Sequence, residues 1–291
     1  MLIAQISDTH VVAAGGSLQR GQVDPNTLLE RAVERLNALR PRPDLVLVTG
    51  DLTNHGSHEA YVELKALLAR LELPFYLAIG NHDERGAFLA ELDYPHLAAC
   101  DGFVQYVVDD HPVRLIVLDS TSEAHHHGEF CAARLDWLVA RLEEGQDRPT
   151  IVAVHHPPFD SGMALMDGPG PEWADGLIAA LAGRRNILRV VCGHIHRSMQ
   201  ALVGGHLTSV CPSTAQQLNL DLSPGAPDPA HLAEGLYALE PPGFHLHAWD
   251  GERLVTHSLL VDRFPCIAPV SERTVSVLSR PDGRFVMRKR S

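Results

Sequence analysis

The chain has little positive charge, few aromatic residues, few cysteines and no long apolar run. Its 24 lysines and arginines stand against 36 aspartates and glutamates, a formal net charge of −12. That balance argues against a long nucleic acid as partner, but not against a small anion held by a local positive centre. No apolar stretch approaches the length of a membrane span, and residues 2–7 are too short, and lack the flanks, for a signal peptide. The five cysteines, Cys100, Cys131, Cys192, Cys211 and Cys266, are odd in number and lack paired spacing. They are expected to be reduced thiols packed as small hydrophobes in a cytoplasmic protein. Phe, Trp and Tyr make up 5% of the 291 residues, which weakens any reading that depends on stacking a base.

Histidine, in contrast, is abundant, with 18 residues. Neutral imidazole is a common ligand of borderline transition metals, so the composition favours a metal site without proving one. The order of elements says where it would lie. Short buried strands are predicted over 2–7, 45–49, 75–79, 104–108, 114–118, 150–154 and 187–192. Amphipathic helices are predicted from Asp24-Pro25 to about residue 39, from about Ser57 to Leu71, over 132–142 and over about 172–181. Leu135, Leu138, Val139 and Leu142 form the inward face of the third, and Gly183 ends the fourth. After residue 200 the chain turns β-rich, with stretches at 206–211 and 235–239. Hairpin signals follow at Asp250-Gly251 and Asp282-Gly283. This pattern predicts an α/β core with a β extension.

Five polar motifs each follow a predicted strand directly: Asp8/His10, Asp51, Asn81/His82, His155 and His194/His196. Any one of them reads equally well as an Asx or glycine turn with a satisfied side chain. Five in one chain do not, because in open α/β sheets ligands bind beyond the carboxyl ends of the strands. Asp, Asn and neutral His suit Fe, Mn, Zn or Co, whereas Mg or Ca would call for oxygen alone. Seven such ligands exceed one ion's needs and suit two ions sharing a carboxylate, the arrangement of two-metal hydrolases. His82 is then left over, placed to protonate a leaving oxygen.

In this order D-x-H, G-D, G-N-H-D, H-H-P-P and G-H-x-H resemble the calcineurin-like metallophosphoesterases, over roughly residues 2–200 and without a substitution in the five signatures. The early start at Asp8, the Met166-Asp167 pair after His-His-Pro-Pro-Phe, and Cys192–Arg197 resemble the branch of class III cyclic-nucleotide phosphodiesterases and glycerophosphodiesterases. The resemblance implies a four-layer α/β/β/α sandwich with two mixed β-sheets, spanning 1–262. Residues 263–291 would then be a C-terminal β-hairpin extension acting as a lid or dimer contact. It implies Asp8, His10 and His196 on one metal, Asn81, His155 and His194 on the other, Asp51 bridging both, and His82 as the catalytic histidine. His155 rather than His156 is the ligand by motif alignment.

The expected activity is hydrolysis of a small anionic phosphodiester by hydroxide generated at two divalent or trivalent ions of Fe, Mn, Zn or Co. A 3′,5′-cyclic nucleotide such as cAMP is the first substrate expectation and a glycerophosphodiester the alternative. A phosphomonoesterase and an inactive metal-binding scaffold stand further off, since a scaffold would be expected to lack a ligand or His82. A homodimer or higher homo-oligomer, with no nucleic-acid polymer and no membrane as partner, completes the expectation. Other polar residues are open to two readings. Asn54 could reach a substrate phosphate or serve a turn. Arg85 and Arg197 read more simply as solvated than as phosphate contacts, His156 as a further substrate contact, and His206 as a cleft-rim or packed residue. His55 and His58 read as helix-start residues and His125-His126-His127 as a solvated loop. Trp173 reads as core, while Phe159, Met163 and Met166 could cover the sheet or sandwich a base.

Overall fold

The computed structural model of the chain describes residues 1–92, 102–223 and 229–265. Its first sheet grows from alternating strands and helices. β1 (Leu2–Ile6), β2 (Leu45–Thr49) and β3 (Phe75–Ala78) are parallel neighbours, joined by α1 (Pro25–Asn37) and α2 (His58–Leu68). Both helices start where the sequence predicts. The Asp24 carboxylate and the Ser57 hydroxyl accept the N–H of Thr27 and Ala60, and Pro25 opens α1 where no N–H is needed. Leu29, Ala32, Val33 and Leu36 of α1, with Leu64 and Leu68 of α2, bury against Ala4, Ile6, Val46, Val48 and Leu77 of the sheet. α3 (Arg85–Glu91) joins the same layer through Phe88.

The second sheet holds β4 (Tyr106–Val108), β5 (Arg114–Leu118), β6 (Thr150–Val154), β7 (Ile187–Cys192), β8 (Met199–Val203) and β9 (His206–Val210), in the spatial order β4-β5-β6-β7-β9-β8. β5, β6, β7 and β9 run parallel, with β4 and β8 antiparallel at the two edges. α4 (Ala132–Glu144) and α6 (Asp175–Leu181) cover its outer face through Leu138, Leu142, Leu177 and Leu181, and α5 (Ala164–Asp167) sits in the loop before α6. Val139, expected inward, is 39% exposed. The inward stripe of α4 runs through Arg134, Leu138 and Leu142 instead, with the Arg134 guanidinium 4.5 Å from the centre of the Phe103 ring.

Ile3, Leu45, Leu47, Tyr76 and Ala78 pack across the midline against Leu115, Val117, Ile151, Ala153 and Val191. The architecture is therefore the expected four-layer sandwich. Strands after residue 200 add to both of its sheets. β10 (Gln217–Leu218) and β11 (Tyr237–Ala238) form a two-stranded ribbon, with α7 (Pro229–Glu234) between them. β12 (Gly243–Trp249) and β13 (Leu254–Leu260) form the hairpin predicted around Asp250-Gly251. β12 pairs antiparallel with β1, which makes the first sheet mixed in the order β13-β12-β1-β2-β3. The second predicted hairpin, over 274–287, lies outside the described residues. Among those described, no helix is long and apolar enough to cross a membrane, and Cys131, Cys192 and Cys211 are free thiols.

Candidate metal centre

The carboxyl ends of β1, β2, β3, β6 and β7 meet at one edge of the sandwich, and the chain reverses sharply at each. Asp8, His10, Asp51, His194 and His196 all adopt positive φ, between 45° and 71°, a region that side chains other than glycine seldom occupy. Such residues persist where surrounding structure holds them, and they cluster at functional sites. Glycine supplies the remaining room. A Cβ on Gly80 would lie 2.2 Å from Asp51 Oδ1, and one on Gly193 would lie 2.0 Å from Ser7 Oγ and 2.8 Å from Asp8 Oδ2.

The seven expected ligands converge. The donor atoms of Asp8, His10, Asp51 and His196 lie within 4.8 Å of one another, and so do the nitrogens of His155, His156 and His194. Asp51 points one oxygen at each group, with Oδ2 3.6 Å from His10 Nε2 and Oδ1 3.4 Å from His155 Nε2. His10 Nε2 and His196 Nε2 face each other at 3.0 Å, with Asp8 Oδ1 3.5 Å from the latter. His155 Nε2 faces Asn81 Oδ1 at 3.2 Å. Backbone carbonyls fix the tautomers, since the Nδ1–H of His155 donates to Thr49 O at 2.8 Å and that of His196 to Gln216 O at 2.7 Å. With Nδ1 so engaged, each of these rings turns its Nε2 into the cluster, toward Asp51 and Asn81 for His155 and toward His10 and Asp8 for His196.

The electrostatics agree. Burial pulls His10 well below its ordinary pKa, and burial followed by His155 pulls His194 down to about 3, keeping both in the neutral, ligating form. Burial alone would raise the Asp51 carboxyl, but the histidines around it, His155 first, hold it well below the usual range. Burial opposes charge on His155 too, yet Asp51 outweighs it and raises that imidazole to about 9. The acids draw positive charge to this spot. His194 Nδ1 is buried without a partner, a further orphan donor atom facing the same need. The donor set thus fits two transition ions bridged by Asp51.

His156 is set apart from His155 by its bonds. Its Nε2–H donates to His126 O at 3.0 Å and its Nδ1 accepts from Ser120 Oγ at 2.8 Å, so both ring nitrogens are engaged. His82 lies at the floor of the adjoining cleft, its ring centre 4.8 Å from that of His10. Its N–H donates to Asp51 Oδ1 and its Nδ1–H to Asn54 O, both at 2.9 Å. Asn54 therefore reaches the site through its carbonyl, while its side chain pairs with His55. Arg85 is committed to Asp119 at 2.7 Å and to Thr121, and Arg197 to Glu240 and Leu218 O. His206 is not at the site at all. It starts β9, at the end of the second sheet away from the ligands, and its Nε2–H donates to Leu181 O at 2.8 Å.

The cleft has a volume of about 310 Å³. Its floor is His10, Asp51, Asn81, His82, His194 and His196, and Leu165, Met166, Leu218, Leu236 and Tyr237 stand around it. His126 and His127 line it as well, which corrects the reading of His125-His126-His127 as merely a solvated loop. Asp83, the last residue of the Gly80–Asp83 run, plays a structural part beside the site. It accepts from the N–H groups of Gly80, Leu52 and Thr53 and from the Tyr61 hydroxyl, and so ties the β2 and β3 loops together. Trp173 packs on the core of the second sheet as expected, and its ring covers Gly128.

Residues 1–198 match the family described as Calcineurin-like phosphoesterase. The chain belongs to the calcineurin-like phosphoesterase family. Among its calcineurin-like relatives is a probable glycerophosphodiester phosphodiesterase of Arcobacter nitrofigilis, 32% identical over 266 residues, which are 91% of this chain and 94% of the relative. Another is a 3′,5′-cyclic adenosine monophosphate phosphodiesterase of Pseudomonas aeruginosa, 31% identical over 230 residues, 78% of this chain and 80% of the relative. The fold is also that of a dimetal phosphatase from Danio rerio, with a TM-score of 0.65 at 15% identity, covering 90% of this chain and 96% of the other.

Proposed function

We propose that this calcineurin-like protein is a dinuclear-metal phosphodiesterase acting on a small phosphodiester. The observation that carries the reading is Asp51, whose two oxygens each face a separate histidine cluster at the floor of one cleft. Asp8, His10 and His196 would hold one ion and Asn81, His155 and His194 the other, with Fe, Mn, Zn and Co all suited to these donors. Such a pair, when bound, clamps a phosphoryl group as a Lewis acid and lowers the pKa of coordinated water toward ~7. His82 supplies the proton chemistry. The bond from its Nδ1–H to Asn54 O fixes the ring, and its position on the cleft floor lets the other nitrogen serve a departing oxygen. All seven ligands and His82 are present, which leaves the inactive-scaffold reading without support.

Two observations bear on the substrate. Tyr237 is the one Phe, Tyr or Trp among the described lining residues of this cleft, so a base would have to stack on it or on the imidazoles of His126 and His127. The likenesses do not separate the two substrates, since that to a probable glycerophosphodiester phosphodiesterase covers 91% of the chain and that to a probable cyclic nucleotide phosphodiesterase covers 88%. A 3′,5′-cyclic nucleotide such as cAMP therefore stays the first substrate and a glycerophosphodiester the alternative. A Mn²⁺-loaded panel of glycerophosphoethanolamine, cAMP and bis(p-nitrophenyl) phosphate tests the choice. Turnover of the glycerol diester well above cAMP would reverse this order, and turnover of monoesters alone would refute the diesterase reading. Asp51→Ala should abolish turnover and bring bound metal well below two ions per chain. Near-normal metal content and rate in that variant would overturn the dinuclear reading. We also propose a cytoplasmic homodimer, in which residues 263–291 act as the contact or lid.

A further inference from the structure

Asn81 differs in kind from the other six ligands. A carboxylate has two equivalent oxygens and an imidazole is held by its tautomer, but a primary amide has one end that binds a cation and one that repels it. Something must decide which end of Asn81 faces His155 and Asp51. Its Oδ1 lies 3.2 Å from His155 Nε2, and its Nδ2 lies 3.0 Å from His126 Nδ1. A ring nitrogen accepting there suits Nδ2–H as donor and would not suit Oδ1.

We infer that His126 is a positioning residue, holding the Asn81 amide with its oxygen toward the second metal position; the inference rests on the dinuclear reading above. The position of His126 is itself fixed from behind. Buried His156 donates through Nε2 to His126 O, and the Ser120 hydroxyl occupies His156 Nδ1. Ser120 follows β5 and His156 follows β6, so two strand ends of the second sheet reach through His126 to a ligand carried by the first. This gives a task to the second histidine of the His155-His156-Pro157-Pro158 run, whose two nitrogens are both hydrogen-bonded. It also explains why one imidazole of the His125-His126-His127 loop leans 5.4 Å from the His82 ring while His125 and His127 stack on each other at 3.3 Å. The second site thus depends on a loop that carries no ligand.

The test is metal binding rather than rate. Mn²⁺ is titrated calorimetrically into the apo forms of wild type, His126→Ala and His126→Asn, with circular dichroism to confirm folding. His126 is exposed, so its truncation leaves the core intact. Loss of a residue that orients a metal ligand typically costs ~10–100-fold in affinity. That loss should fall on one of the two binding events alone, and His126→Asn, which can keep an acceptor near Nδ1, should recover most of it. In an Asn81→Asp background the ligand has no wrong end, so His126→Ala should then cost little. Unchanged second-site affinity in His126→Ala, or an equal loss with and without Asn81→Asp, overturns the inference while the dinuclear reading stands. A wild type that binds a single Mn²⁺ overturns that reading instead.

Discussion

At the scale of single residues, the proposed centre would separate metal holding from proton delivery. His82 follows a ligand directly, yet its ring nitrogen is turned to Asn54 O and its backbone N–H to the bridging carboxylate. His82→Ala should therefore keep both ions. A glycerol or ribose oxygen leaves poorly unless protonated, and general acid catalysis contributes ~10²–10⁴-fold, whereas p-nitrophenolate needs no help. The variant should lose far more activity on the alkyl diester than on the aryl one, with elemental analysis showing unchanged metal. An equal loss on both substrates would move His82 to phosphate binding. The ligands and His82 were legible in the sequence because each stands directly after an apolar strand. His126, Asp83 and Ser120 were not, since they act through bonds to other loops, and no periodicity in a loop reports its partner. Arg134 was hidden for another reason. An arginine on a helix reads as solvated, and its burial is explained by the Glu129 carboxylate at 2.9 Å, the ring of Phe103 and the carbonyls of Asp119 and Thr121.

At the scale of elements, the strand-helix alternation up to β7 could be read from apolar runs and caps, and Asp24 and Ser57 begin their helices as predicted. What could not be read was sheet membership. The hairpin of β12 and β13 resembles a separate tail in sequence, yet β12 pairs with β1, some 240 residues earlier in the chain, as in Leu2 opposite Ala248. β8 went unrecognised because it begins three residues after His196, inside what reads as the end of a metal motif. Beyond β13, the sequence alternates Val275, Val277, Phe285 and Met287 about Asp282-Gly283, the pattern from which the extension is proposed. A lone hairpin is marginal in water and needs a surface to cover. A chain ended after Asp262 should therefore run as a monomer in light scattering while the full chain runs as a dimer. Retention of the native mass would remove the extension from the interface.

At the scale of the whole molecule, the two sheets are joined by an apolar midline that turns polar toward β12. His245 and His247 are fully buried there, with His247 Nε2 2.9 Å from Gln5 Oε1 and His245 Nε2 3.1 Å from Ser198 Oγ. Burial, and then Arg189, lowers His245 to about 4, and burial holds His247 well below its ordinary value. Both groups thus bind protons more readily in the unfolded chain, where the pKa is ~6.5. Stability should be fully present above that value and fall as pH drops from 6.5 toward 4. Melting temperatures measured across this window should show a shallower decline for His245→Asn than for wild type. Parallel curves would mean that His245 contributes nothing to acid sensitivity.

The positive φ angles at five of the ligands bear on mutational drift. Outside glycine, the left-handed region is entered most readily by Asn, Asp and His. These are also the residue types that compose this centre. A β-branched or bulky replacement at Asp8, His10, Asp51, His194 or His196 would face a backbone penalty of about 1–3 kcal/mol before any ligand is lost. The neighbourhood of tolerable substitutions around this site is therefore narrow, and it is made up largely of other metal ligands. On the dinuclear reading, a lineage carrying this backbone would exchange one coordinating side chain for another more easily than it would abandon coordination.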